Sequence, residues 1–210
     1  MDLQGSIRER YDRLASEAED DLSCGNTLAL AGLKPGLAVA DLGCGRGSET
    51  LAAARLVAPH GQAIGIDLSP AMVGQACRRR EEAGLGNAFF LVADLTTLPL
   101  AAGSIDVVLS NCVLNHVLDK AAAYREIHRV LKPGGCFVIA DVVSLAPLPP
   151  EVRQDPQAWA ECYGGAIAEA DYLAAISQAG FMPVAIRQRR EYMKNGFPLA
   201  SLTLRGTKPA

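Results

Sequence analysis

The sequence predicts a doubly wound α/β domain whose mostly parallel, seven-stranded sheet is closed by an antiparallel hairpin. Three observations carry this. Between residues 37 and 144, short apolar runs alternate with longer amphipathic ones, strand then helix. The apolar runs are nearly continuous rather than alternating with polar residues, which suits strands covered on both faces. Near the C-terminus, "PVAIRQRREY" and "LASLTLRG" follow one another with no helix between them, as a hairpin at the sheet edge requires. Right-handed crossovers between the parallel strands then distribute the helices over both faces.

Each element has its own reason. Residues 6–22 put Ile7, Tyr11, Leu14, Ala15, Ala18 and Leu22 on one helical face, an amphipathic helix packed on the domain. "SCGN" (23–26) breaks that pattern, and a short helix through "TLALAGL" runs into the turn "KPG". "LAVADLG" is the first strand, "GSETLAAARLV" a helix and "QAIGIDL" the second strand. "SPAMVGQACRRREEAG" is a helix with Ser69 as N-cap and Pro70 in its first turn. "AFFLVAD" and "IDVVLSN" are the third and fourth strands; "DKAAAYREIHRVL" is a helix stopping at "KPGG", and "CFVIADVV" the fifth strand. Beyond residue 144 the rhythm changes. Residues 145–168 read as a long irregular insert, followed by one good helix over 169–179. Loops of that length in compact domains usually carry function. The expected organisation is therefore one domain over 1–210. It has an N-terminal helical lid to about residue 33, a ligand-binding core over 34–144 and a substrate-binding insert over 145–168.

Composition excludes several function classes. The chain has 210 residues, is 50% hydrophobic and carries a formal charge of −3, so a nucleic-acid partner has no electrostatic support. "RRR" (78–80) and "RQRR" (187–190) are short, flanked by acids, and read as solvated faces. The charged N-terminus is no signal peptide and no run is apolar for long enough to span a bilayer, which predicts a cytoplasmic protein without a membrane partner. Its six cysteines are then expected to be mostly reduced thiols, and they form no C-x-x-C pair.

The chemistry is written at the strand ends. "DLGCGRG" (41–47) closes the first strand and opens a helix; Gly43, Gly45 and Gly47 allow close approach of backbone to ligand. The spacing is G-x-G-x-G rather than the G-x-G-x-x-G of a pyrophosphate cradle, and Asp41 precedes it. A carboxylate there suits a cationic amino-acid ligand. Asp67 ends the second strand, where an acid accepts ribose hydroxyls, and Asp94 ends the third, placed for an exocyclic amine of adenine. Asp141 ends the fifth strand as a further site residue or a helix cap.

"VADLGCGRG", "GIDLS", "VADL" and "VLKPGG", in that order over residues 36 to 141, resemble the class I S-adenosylmethionine-dependent methyltransferases. The resemblance implies a Rossmann-like fold and S-adenosylmethionine as cofactor. It places Gly43 and Gly45 at the methionine moiety, Asp67 on the ribose and Asp94 on the adenine, with Asp41, Leu68, Met72, Leu95 and Asn111 completing the pocket.

In such a fold Cys112, in "SNCVLNH" at the end of the fourth strand, faces the methyl group. Cys24 in "SCGN" and Cys162 in "WAECYGGA" belong to segments that join or cover the same edge. Three thiols converging there suit a soft, thiophilic centre such as trivalent arsenic, whose lone pair attacks a sulfonium methyl without a general base. "CGN", "LKPG", "SNCVLN" with "DK", and the whole insert from "PLPPEVRQDPQAWAECYGGA" onward resemble arsenite methyltransferases over about residues 24–181. That resemblance implies Cys24, Cys112 and Cys162 as the arsenic-binding and catalytic set, a trivalent arsenical as substrate, and a thiol reductant such as glutathione or thioredoxin as partner. Cys44, Cys77 and Cys136 read as small buried hydrophobes.

The sequence also departs from the pattern. His116 stands where relatives usually carry an apolar residue. Long relatives have a further upstream cysteine and an extra C-terminal domain, neither of which is expected here. Two other readings stay open: methylation of an organic arsenical, thiol, amine or carbon acceptor with His116 as base, and non-catalytic arsenite binding. Tyr11 and the N-terminal helix are expected to form a lid.

Overall fold

A computed structural model describes residues 3–15 and 26–210. In chain order the elements are α1 (Leu3–Leu14), α2 (Thr27–Ala31), β1 (Ala38–Leu42), α3 (Ser48–Val57), β2 (Gln62–Asp67), α4 (Pro70–Ala83), β3 (Ala88–Val92), β4 (Ile105–Asn111) and α5 (Lys120–Val130). They continue with β5 (Leu131–Ser144), α6 (Pro150–Gln154), α7 (Pro156–Ala160), α8 (Glu169–Gln178), β6 (Val184–Lys194) and β7 (Phe197–Thr207). The sheet order is β3-β2-β1-β4-β5-β7-β6. The first five strands are parallel; β7 is antiparallel to β5, and β6 to β7. This is the predicted fold class, and the hairpin forms at the predicted edge. Its two-residue turn is Asn195–Gly196, both with positive φ (50° and 83°), the conformation a tight hairpin demands.

Burial explains why the strands read as continuous apolar runs. On one face α2 and α3 cover β1, β2 and β4 through Ala31, Leu51, Ala54 and Val57. On the other, α5 and α8 supply Tyr124, Ile127, Tyr172 and Ile176 to the larger core. Local signals set the helix ends. The Ser69 hydroxyl accepts from Met72 N and Gly84 closes α4 at φ 63°. Asp119 caps α5 by accepting from Ala122 N.

Several expectations change. The N-terminal helix ends at Leu14; Ala18 and Leu22, predicted on its face, lie outside the described residues. The insert is not irregular throughout. Pro150 and Pro156 each open a five-residue helix, at the one position where a missing N–H does no harm. It also has its own small core of Leu148, Ala158, Tyr163 and Ala166, packed on Cys112, Val142 and Leu199. The fifth strand begins at Leu131 rather than Cys136, because Leu131 already pairs with Ile105, and the "KPGG" segment bulges out before the ladder resumes at Val107 and Cys136.

Candidate active site

The order of strands reverses between β1 and β4, and ligands of such sheets bind outside the carboxyl ends at that point. A cavity of about 750 Å³ opens there. Its walls include all nine residues expected at a cofactor: Asp41, Gly43, Gly45, Asp67, Leu68, Met72, Asp94, Leu95 and Asn111. Cys112 and Cys162 line it as well, with Tyr11 and His116. Cys24 lies outside the described residues.

The Gly-rich turn is fastened to the end of β2. Gly43 N and Cys44 N donate to Ile66 O at 2.7 and 3.1 Å, and Gly45 N donates to Asp67 Oδ2 at 2.9 Å. Gly43 has φ 72°, and a Cβ on it would stand 2.1 Å from a methyl of Val113, so no other residue fits. At Gly45 a Cβ would meet nothing within 4 Å: the turn exposes bare backbone to the cavity.

Three carboxylates end three neighbouring strands. Asp41 is 2% exposed and accepts from the Thr50 hydroxyl at 2.6 Å. Burial, with Glu49 nearby, pushes its carboxyl up to about 7. Burial also raises Asp67, opposed by backbone N–H groups of Ser69, Gly45 and Leu68. Asp94 accepts from Thr96 N at 2.8 Å and the Thr96 hydroxyl at 2.7 Å. Acids on three walls and open glycine backbone suit a cationic amino-acid nucleoside and not a polyanion. Asp141, by contrast, lies behind the cavity and caps no helix. It is 1% exposed and accepts from Tyr172 OH at 2.9 Å, itself bonded by Tyr124 OH at 3.0 Å.

The thiols converge from separate elements. Cys112 follows β4 with φ 57° and Cys162 follows α7 with φ 65°, both in the left-handed region uncommon for side-chain-bearing residues. Cys162 Sγ lies 3.7 Å from the Cys112 carbonyl and 3.5 Å from His116 Nε2. Two contacts hold the Cys162 loop down. Asn115 Nδ2 donates to Cys162 O at 3.1 Å, and at Gly165 a Cβ would stand 1.9 Å from Asn115 O. Burial, with Asp141 adding to it, pushes the Cys162 thiol up to about 11. Cys44, Cys77, Cys136 and Cys162 are free, but Cys112 is disulfide-bonded. Cys112 is thus an exception to the mostly reduced thiols expected from the sequence. Cys44 is buried as expected, though it also lines the cavity.

The fold and the matched motifs now decide the family. A family model described as "Methyltransferase domain" matches residues 33–193. The crystal structure of CrArsM, an arsenic(III) S-adenosylmethionine methyltransferase from Chlamydomonas reinhardtii, superposes with a TM-score of 0.81 at 30% identity, covering 97% of this chain and 74% of that one. The chain belongs to the S-adenosylmethionine-dependent methyltransferases. Among curated relatives, this methyltransferase is 36% identical to the arsenite methyltransferase of Halobacterium salinarum, over 100% of the chain and 57% of the relative. It is 37% identical to that of Aquipseudomonas alcaligenes, over 75% of the chain and 47% of the relative. The chain therefore spans about half the length of these relatives. No helix among the described residues is long and apolar enough to cross a membrane.

Two residues at or near the cavity of this methyltransferase carry no legible signal in the sequence. Glu49 accepts from the buried Thr27 hydroxyl at 2.6 Å and lines the cavity. In sequence it reads as an ordinary acid in the first turn of a helix. Lys120 reads as a solvated residue of α5, yet it is 6% exposed, donates to Val117 O at 3.1 Å and sits over the Trp159 ring. Burial lowers its ammonium to about 8.

Proposed function

We propose that this methyltransferase acts on trivalent arsenic, as arsenite or methylarsenite, held by thiolates of Cys112, Cys162 and Cys24. The supporting observation is the meeting of Cys162, from the insert, with Cys112, from the end of β4, on the wall of the cavity that Asp67 and Asp94 also line. The arsenite methyltransferases among its relatives add to it.

The residues divide the work by position. Asp67 and Asp94, at the ends of β2 and β3, hold the ribose and adenine of the cofactor. Asp41 and the bare backbone of Gly43 and Gly45 receive its amino-acid end. S-adenosylmethionine, when bound, supplies the sulfonium methyl for the arsenic lone pair. Soft thiolates fix the arsenic in one orientation, and fixing the reacting centre is the main contribution such a site makes to rate. Tyr11, from α1, narrows the cavity above Cys162 and excludes water.

The disulfide at Cys112 gives the reductant its place: a two-electron thiol donor, glutathione or thioredoxin, must open it before Cys112 can ligate arsenic. The deciding assay supplies arsenite or methylarsenite with S-adenosylmethionine, with and without excess glutathione, and reads arsenic species beside S-adenosylhomocysteine. Methylated arsenic formed stoichiometrically with S-adenosylhomocysteine, and only with thiol, is expected. S-adenosylhomocysteine without methylated arsenic would shift the reading to another acceptor.

A further inference from the structure

We propose that His116 is the proton acceptor that allows the half-buried Cys162 thiol to take up arsenite. This rests on the arsenite reading and concerns loading, the step before methyl transfer. Binding arsenous acid to a thiol displaces hydroxide and requires the S–H proton to leave, and a base already in contact with the sulfur gives it a direct route. His116 Nε2 lies 3.5 Å from Cys162 Sγ and 3.1 Å from Tyr11 OH, so the three side chains form one contact group on the cavity wall. Its other ring nitrogen, Nδ1, is buried without a hydrogen-bond partner among the described residues. An imidazole held for packing alone would leave that nitrogen uncompensated for no gain.

The charged groups around it are cationic. Lys120, at the start of α5, and Arg10, on α1, join burial in holding the imidazolium down to about 4. Nε2, the ring nitrogen that faces Cys162 Sγ, is the one placed to accept. The remaining neighbours are the Tyr11 hydroxyl, which burial raises further, and the Cys162 thiol itself. So weak a base does not take the proton from the free thiol; it accepts it only as sulfur bonds to arsenic and the S–H becomes acidic, and then passes it on. As Cys162 sulfur bonds to arsenic, its S–H bond breaks and the proton moves to Nε2. The As–O bond breaks, and the departing hydroxide takes that proton and leaves as water. One As–S bond and one water replace one S–H and one As–O bond, with no change of oxidation state.

The relay has a kinetic signature. A neutral thiol loading neutral arsenous acid through a neutral imidazole has a rate independent of pH. Without the relay only the thiolate reacts, and its fraction rises about tenfold per pH unit below the thiol's pKa. The test mixes pre-reduced protein with sodium arsenite in a stopped-flow instrument from pH 5.5 to 8.5. It follows the chain's single tryptophan, Trp159, three residues before Cys162. Wild type should load at a nearly constant rate. His116→Leu should load at least tenfold more slowly at pH 7 and gain about tenfold per pH unit, with arsenite affinity at equilibrium little changed. Added imidazole should restore part of the rate in His116→Gly. A wild-type rate that climbs tenfold per unit overturns the relay even if no variant folds, as does a His116→Leu variant with wild-type rate and a flat profile. Wild type that binds no arsenite overturns the arsenic reading and the relay together.

Discussion

Asp67 and Asp41 illustrate how differently two carboxylates at neighbouring strand ends behave. Burial raises the Asp67 carboxyl, and the backbone N–H groups of Gly45 and Ser69, donating to it at 2.9 Å each, oppose that rise. Asp67 stays available to accept from ribose hydroxyls. Asp67→Ala should weaken S-adenosylmethionine binding by about 1.5–3 kcal/mol, the scale for losing hydrogen bonds to a charged group, as titration calorimetry would read. Asp41, raised from 3.8 to about 7, holds its proton more tightly folded than unfolded. Ionising it thus removes stability progressively as pH rises from about 4 to about 7. A cationic ligand favours the ionised form, so cofactor affinity should rise about fivefold from pH 6 to 7, with proton release detectable by comparing buffers of different ionisation enthalpy. Asp41→Asn should flatten that dependence. The cysteines make a sharper contrast. Cys162→Ser should lower arsenite affinity strongly while Cys77→Ser and Cys136→Ser leave it largely intact. Equal losses at Cys77 and Cys162 in a fluorescence titration would contradict the thiol site.

At the scale of elements, the insert is a second small layer laid over the sheet's carboxyl edge. Its prolines start helices, its tyrosine and alanines make a local core, and Gly165 lets it press against residue 115. Gly165→Ala places a methyl 1.9 Å from Asn115 O, and neither backbone can yield easily. The cost should be about 1–3 kcal/mol, as for other overpacked sites, visible as a lowered melting temperature. Because Asp67 and Asp94 sit on strands the insert does not interrupt, cofactor binding should survive while arsenite binding falls. Loss of both to the same degree would mean that the insert supports the whole cavity.

At the scale of the molecule, stability and function are divided. The sheet's central strands, β1, β4 and β5, are buried between helical layers on both faces. Helix α1 is attached differently, packing on α4 and α7 across the cavity, with Ser69 Oγ and Asp12 Oδ1 at 2.5 Å and Arg46 bonded to Leu14 O. Elements with few buried contacts open most readily. In hydrogen exchange, amides of β4 and β5 should be protected near the global limit. Those of α1 should exchange far faster and slow when S-adenosylmethionine is added. No change in α1 on ligand addition would remove it as the cover of the site.

Much of this was readable before any coordinates, because it rests on local rules. Apolar runs bounded by turns gave the strands, Ser69 announced a helix start, and the acids closing β1, β2 and β3 fall at one edge of any parallel sheet with this order. All nine expected cofactor residues line one cavity for that reason. What depends on contacts between distant segments was not readable. The disulfide at Cys112, the burial of Lys120 against Trp159, the His116 Nδ1 without a hydrogen-bond partner among the described residues and the withdrawal of Asp141 from the cavity each join residues tens of positions apart or depend on what covers them. Periodicity and spacing report which face a residue takes on its own element. Whether that face meets water, a cation or a second thiol is decided only when the elements pack, since burial and neighbouring charge are properties of the assembled fold.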